Sequence, residues 1–448
     1  MKKLVLMVLV LGVVLGTAGT GFADVPAPGG PFNTAFRVQN LGSANANCEF
    51  SFYDASGVSQ YNSGALTPIP PGDSLYVYVP TDTTAADGMY SAVVSCDQDV
   101  AAVVNFGDAD SGASYSGVGG GEVADTLYAP GIYDNYYNFY SDIVVQNAST
   151  GPIDITLEIY QPGVTAPVYT NTKTGVAANA SVSWEQEGLA QLADNQFYSA
   201  KIIGTGAIAA IVNIYGKGGS EGTLFSYNAF SAGSTTAYAP VIMNNAWGYT
   251  TALVVQNMGT STANVTITYS DAGTVSDWSG TIAPGSAESF YSGDPALNIP
   301  AGQLLGAKVT SDQPVAVIVN EQTTYNRAGT YNGFAAGSTT ARAPVVMNNL
   351  ARWNSSVTCQ NIGTGPATMT ISYAGVSGTF DPQGGNPVAA DDVGLFYQPD
   401  HITTPDWIGS ATITSDQPIV CVVNQDQNMA PESTQVMDQL YVYNGVVE

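Results

Sequence analysis

The sequence predicts an all-β chain of four tandem antiparallel sandwiches behind an export leader. Three observations carry this. Val, Thr, Ser, Gly, Asn and Tyr dominate the 448 residues, while the helix formers Lys, Glu and Leu are scarce. Apolar and polar residues alternate over short runs closed by Gly, Pro, Asn or Asp, the pattern of half-buried strands between turns. Three separate landmarks recur with one period of roughly a hundred residues, the length of a small domain rather than of a solenoid unit.

The first element is the leader. Lys2 and Lys3 precede the apolar run LVLMVLVLGVVLG at 4–16, and Gly21 and Ala23 set up cleavage after Ala23. The run falls short of the roughly 20 residues that a membrane span needs. No cysteine stands at the cleavage point, which argues against lipid attachment there, and no later stretch is long enough to cross a membrane. The expectation is an exported chain, extracellular or at the cell surface, with no transmembrane span after processing.

The repeats follow. Apolar runs end at Asn105, Asn213, Asn320 and Asn424, as in SDQPVAVIVN at 311–320 and SDQPIVCVVN at 415–424. A Gln-Asn pair closes an earlier run at Asn40, Asn147, Asn257 and Asn361. Ala-Pro marks the joints in YAPGIY, YAPVIM and RAPVVM. The boundaries expected are 1–23 for the leader and 24–127, 128–237, 238–341 and 342–448 for the four repeats.

Within repeat 3, TALVVQN and NVTITYSD both alternate, and Val265, Ile267 and Tyr269 share one face. Pro314 opens a strand, where its missing N–H does least harm. Asn257 to Gly259, Asp271 to Gly273 and Pro284-Gly285 signal turns. Seven or eight short strands per repeat indicate an antiparallel sandwich. A short helix over 185–194, EQEGLAQLAD, is the one exception expected.

The order VQNxG, VTITYSDAG, IAPGS resembles the immunoglobulin-like or fibronectin-III-like repeats of exported bacterial proteins, including CARDB-type adhesion modules and surface-layer domains. The resemblance covers nearly the whole processed chain and is one of style, because the antibody-type Cys…Trp…Cys signature is missing from repeats 2 and 3. It implies a structural or adhesive role at the cell surface. The end repeats differ from the middle ones, as caps do. Repeat 1 opens on VPAPGGPF where later repeats carry an apolar strand, so self-association by strand addition is one expectation.

Four cysteines remain after the leader, Cys48 and Cys96 in repeat 1, Cys359 and Cys421 in repeat 4. All four fall on the inward phase of their strands. An exported chain meets oxidising conditions, so one bridge within each end repeat is expected. Four buried thiols are the alternative.

Chemistry is sparse. His401 is the single histidine, too few for a histidine metal site and isolated from any nucleophile. The Asp of SDQ (Asp97, Asp312, Asp416) reads as a turn former before a strand. GVGGGE at 117–122 lacks the Lys-Ser/Thr of a phosphate loop. Asp108 and Asp110 in GDADSG resemble the start of a calcium loop without its distal Glu, so calcium is the one cofactor left open. Tyr133, Tyr136, Tyr137 and Tyr140, with Trp247 and Trp353 at matching places, form an aromatic set that either packs against neighbouring repeats or contacts glycans or proteins. With 36 acidic against 10 basic residues the chain carries a formal charge of −26, which repels phosphate backbones and excludes nucleic acid as a partner class. The expected function is a non-enzymatic, acidic surface protein, adhesive or S-layer-like, that associates with itself or with other surface components. The alternative is a secreted carbohydrate-binding protein using its aromatic loops.

Overall fold

The computed structural model describes residues 4–10, 32–108, 111–217, 222–270, 275, 277–323, 327–427 and 440–447. It is all-β, built from several antiparallel sheets. Repeat 1 holds β1 (Leu4–Val10), β2 (Asn33–Asn40), β3 (Cys48–Tyr53), β4 (Ser59–Asn62), β5 (Ser74–Tyr78), β6 (Tyr90–Cys96), β7 (Val100–Gly107) and β8 (Gly112–Ser116). Repeat 2 holds β9 (Ala124–Asp134), β10 (Phe139–Asn147), β11 (Ile153–Tyr160), β12 (Tyr169–Val176), β13 (Ser181–Glu185), β14 (Gln196–Gly216) and β15 (Leu224–Asn228). Repeat 3 holds β16 (Ser234–Ala246), β17 (Tyr249–Asn257), β18 (Ala263–Tyr269), β19 (Trp278–Ile282), β20 (Ala287–Tyr291), β21 (Gln303–Thr323) and β22 (Ala328–Asn332). Repeat 4 holds β23 (Ser338–Asn348), β24 (Trp353–Asn361), β25 (Met369–Tyr373), β26 (Val393–Tyr397), β27 (Trp407–Gln427), β28 (Leu440–Asn444) and β29 (Val446–Val447).

One wiring recurs. In repeat 3, β16, β21, β18 and β19 lie side by side in one sheet, and β20, β17, β21 and β22 in the other. The 21-residue β21 serves both, its first half in one sheet and its second half in the other. β14 and β27 do the same. Repeat 1 breaks this strand into β6 and β7 and keeps two four-stranded sheets, β1-β6-β3-β4 and β5-β2-β7-β8. The Ala-Pro landmarks lie inside the first strands β9, β16 and β23 rather than between repeats.

The chain divides into two compact units, Met1–Gln161 with Ala166–Ser231, and Pro162–Thr165 with Ala232–Glu448. Each contains two repeats that share apolar packing. In the first, Val144, Ile211, Tyr215 and Leu224 of repeat 2 join the cluster built on Phe36, Phe50, Phe52 and Val94 of repeat 1. In the second, Val420, Val422, Leu440 and Val442 of repeat 4 join the cluster of repeat 3. This explains the continuous apolar run that ends each repeat's long strand. Ile419, Cys421 and Val423 face repeat 4's own interior, while Val420 and Val422 on the opposite phase face repeat 3, and all five are fully buried.

The helix expected over 185–194 does not form. The chain leaves β13 at Glu185 and makes successive turns, Leu189 N–H to Gln186 O and Leu192 N–H to Leu189 O. Gly188, at φ +74°, interrupts any helical run. The helices present are two single turns, α1 (Val79–Asp82) and α2 (Gln398–His401).

Candidate functional site

The recurring polar residues are tied into loops. Asn257 donates from Nδ2 to Ser261 O (2.8 Å) and Ile282 O (2.9 Å), and its Oδ1 accepts the Gly259 N–H (2.8 Å). Asn40, Asn147 and Asn361 make the same three bonds in their repeats. The preceding glutamines reach one loop further, Gln256 Nε2 to Gly285 O at 3.0 Å. Buried side-chain amides thus satisfy carbonyls that the sheet ladders leave over.

The SDQ aspartates are clamps. Asp97 accepts the Asn47 N–H and Nδ2–H, both at 2.7 Å, and Asp312 accepts the same pair from Asn264 at 2.8 and 2.5 Å. These bonds hold both carboxyls below the usual range. Asp416 accepts the Thr368 N–H at 2.7 Å. In repeat 2 Thr205 replaces the aspartate and accepts the Asp154 N–H at 3.0 Å.

The cysteines form two disulfides, Cys48–Cys96 and Cys359–Cys421. Each joins directly opposed residues of neighbouring strands, β3 with β6 and β24 with β27. Asp108 closes a tight turn, its Oδ1 accepting the Ser111 N–H at 2.7 Å. Asp110 lies outside the described residues, among which no cluster of three or more His, Cys, Asp or Glu could hold a metal ion. His401 stacks on Phe380, and its Nδ1 lies 2.7 Å from Tyr373 Oη. Burial lowers its pKa.

The aromatic set sits on and beside the hairpin that follows each first strand. Tyr133 stacks on Tyr136 (5.5 Å between centroids), Tyr136 meets Tyr137 edge-on and touches Phe197, and Tyr137 is exposed. Tyr140 stacks on Tyr215 beneath the Lys217 ammonium. Trp353 lies flat on Tyr441 at 4.8 Å. Trp247 stands free, 69% exposed, at φ +51° in the tight turn before Gly248.

Trp247 also lines a cleft of about 410 Å³ in the second unit, between repeats 3 and 4. Its apolar lining includes Val241, Met243, Leu304 and Leu395; its polar lining includes Asn354, Gln383 and Asp426. Asp426 pairs with Arg327 at 2.7 Å and accepts the Tyr249 hydroxyl at 2.8 Å. Burial raises the Asp426 carboxyl, opposed by Arg327 and Tyr249. Beside it the fully buried Glu321 accepts Asn424 Nδ2 at 2.6 Å, and burial pushes its carboxyl up to about 8. The sequence reading missed Glu321, Arg327 and Asp426; a lone Glu just after the apolar VAVIVN run was the available signal.

No family model matches the chain, and no curated protein does. Among solved structures it is similar to Thermotoga maritima protein 1070, at 19% identity and TM-score 0.19 over 23% of this chain and 94% of that one. It is similar to the RrgB pilus protein of Streptococcus pneumoniae, at 9% identity and TM-score 0.13 over 96% and 89% of the two chains. It is similar to the FN1–FN3 domains of chicken CNTN1, at 8% identity and TM-score 0.11 over 66% and 91%. None of these scores reaches the level of a shared fold, so the reading below draws on the residues of this chain.

Proposed function

We propose that this chain is an exported, non-enzymatic structural protein of the cell surface, assembling with itself or with other surface components. One observation carries the reading. The polar side chains that recur in the repeats, the Gln-Asn pairs and the SDQ aspartates, are engaged in holding loops and strands together. Two intra-repeat disulfides suit an oxidising exterior. A surface of net charge −26 keeps such a protein soluble before it assembles. Fractionation of producing cells, followed by negative-stain microscopy of their surface, tests it. An ordered layer or filaments containing the protein is the expected result; a dispersed soluble protein with hydrolytic activity would overturn it.

Glycan recognition is the second reading, favoured by Trp247 alone. An exposed indole at the mouth of a half-apolar cleft offers a stacking face beside the amides of Asn354 and Gln383. A glycan array probed with the protein and with Trp247→Ala decides this. Retention by the parent chain and its loss in the variant support recognition, and no retention by either removes it.

A further inference from the structure

Repeat 1 differs from the others at one edge. In repeats 2, 3 and 4 the repeat's own first strand (β9, β16 or β23) flanks the long strand. It seals the sandwich with Ala129 and Ile132, Ala239 and Ile242, or Ala343 and Val346, all buried. In repeat 1 the flanking strand is β1, Leu4–Val10, paired with β6 from Leu4 opposite Cys96 to Val10 opposite Tyr90. Those residues belong to the run that reads as the leader's apolar core, which export removes.

A second observation shows that β1 does not reproduce what the sister strands supply. Each sister strand shifts register near its Ala-Pro, between the partners Tyr198 and Ser199, between Ala239 and Ile242, and between Ala343 and Val346. A buried tyrosine reads the backbone there. Tyr227 Oη donates to Pro130 O. Tyr331 Oη donates to Val241 O (2.8 Å) and accepts its N–H (2.9 Å). Tyr443 Oη makes the same two bonds to Val345, at 2.5 and 3.0 Å. The counterpart in repeat 1 is Tyr115, 2% exposed, and its hydroxyl has no partner. β1 pairs without a register shift and brings no backbone to it. A buried hydroxyl left in this way is costly and uncommon.

We propose that repeat 1 of the exported protein is completed by an extended apolar strand from another polypeptide chain, carrying Ala-Pro followed by branched apolar residues. The inference rests on the export reading above and names the contact through which assembly runs. After cleavage the residues ahead of β2 read DVPAPGGP, and Pro26, Pro28 and Pro31 each lack a ladder donor, so this segment cannot refill the edge. The Cys48–Cys96 bridge ties β6 to β3, its remaining neighbour, and keeps the open edge in register. The incoming strand would run antiparallel to β6, place its Ala-Pro bulge beside Ser91 and meet Tyr115 Oη with its backbone.

The test uses the full exported protein. Its N-terminus is sequenced, and a labelled peptide of residues 236–246, TAYAPVIMNNA, is titrated by fluorescence anisotropy. The expected result is an N-terminus at Asp24 and saturable binding. Ala239→Asp in the peptide abolishes it, and Tyr115→Phe in the protein weakens it roughly five-fold while leaving the fold intact. Oligomers of the exported protein that excess peptide disperses support the proposal and identify a second copy as the donor. An N-terminus at Asp24 with neither binding nor peptide-sensitive oligomers overturns this inference alone. A retained Leu4–Val10 segment overturns the export reading, and this inference with it.

Discussion

At Gly259 a side chain has no room, because a Cβ there would lie 2.5 Å from Gln313 Oε1 and 3.0 Å from its Cβ. Gly42 faces Gln98 and Gly363 faces Gln417 in the same way. Repeat 2 inverts the pair. Ser149 takes the glycine's place and Gly206 the glutamine's, and a Cβ on Gly206 would meet Ser149 Oγ at 2.5 Å. The two positions therefore share one fixed volume. Gly259→Ser should destabilise the second unit by about 1–3 kcal/mol through overpacking, and adding Gln313→Gly should recover much of it. Urea titration of the two single variants and the double variant measures this coupling, and additive losses would refute the shared volume. Asn257→Ala should cost about 1–3 kcal/mol, since the carbonyls of Ile282 and Ser261 lose their donor inside the protein. The sequence marks these residues by recurrence. Their role was hidden because Ile282 lies far along the chain and Gln313 farther still, so only the folded loops bring them together.

The strands themselves were legible, and the reason is periodicity. β18 alternates buried and less buried residues as NVTITY reads. β21 and β27 are harder, because neighbouring residues serve two different interiors and alternation vanishes. The helix expected over 185–194 failed for a related reason, since EQEGLAQLAD has a helical composition but carries Gly188 in the left-handed region. Glu321 ends the apolar run of β21, and its burial has a consequence for pH. Folded, it holds its proton to about pH 8; unfolded, it releases it near 4.5. Between those values the folded state binds more protons, so stability falls as pH rises through the window and levels off above it. Asp426 shifts in the same direction. Thermal melts should place the second unit's transition higher at pH 5 than at pH 8.5, and Glu321→Gln should flatten most of that difference. An unchanged slope in the variant would assign the dependence elsewhere. In repeat 1, replacing Cys48 and Cys96 together by Ser should cost about 2–4 kcal/mol, read by denaturant titration against the untouched repeat-4 bridge.

Four copies along the sequence suggest four independent folding domains, yet the shared interiors define two. The outward residues of β27 and β28 complete repeat 3's interior, so repeats 3 and 4 gain stability from one another, as repeats 1 and 2 do. No local pattern announces this pairing, because a strand buried on both faces reads alike whether the second face meets a neighbouring repeat, another chain or a helix. Calorimetry should therefore resolve two transitions and not four. The seam can be broken at one residue. A Cβ on Gly329 would fall 2.2 Å from Val442 Cγ2, and Val442 belongs to the packed neighbour with no room to yield. Gly329→Val should lower the second unit's transition by the equivalent of about 1–3 kcal/mol and leave the first unit's in place. Repeat 3 should lose stability together with repeat 4, which separate probes can follow, Trp278 in repeat 3 and Trp407 in repeat 4. If repeat 4 alone shifted, the interiors would be independent and the two-unit description would fail at its central point.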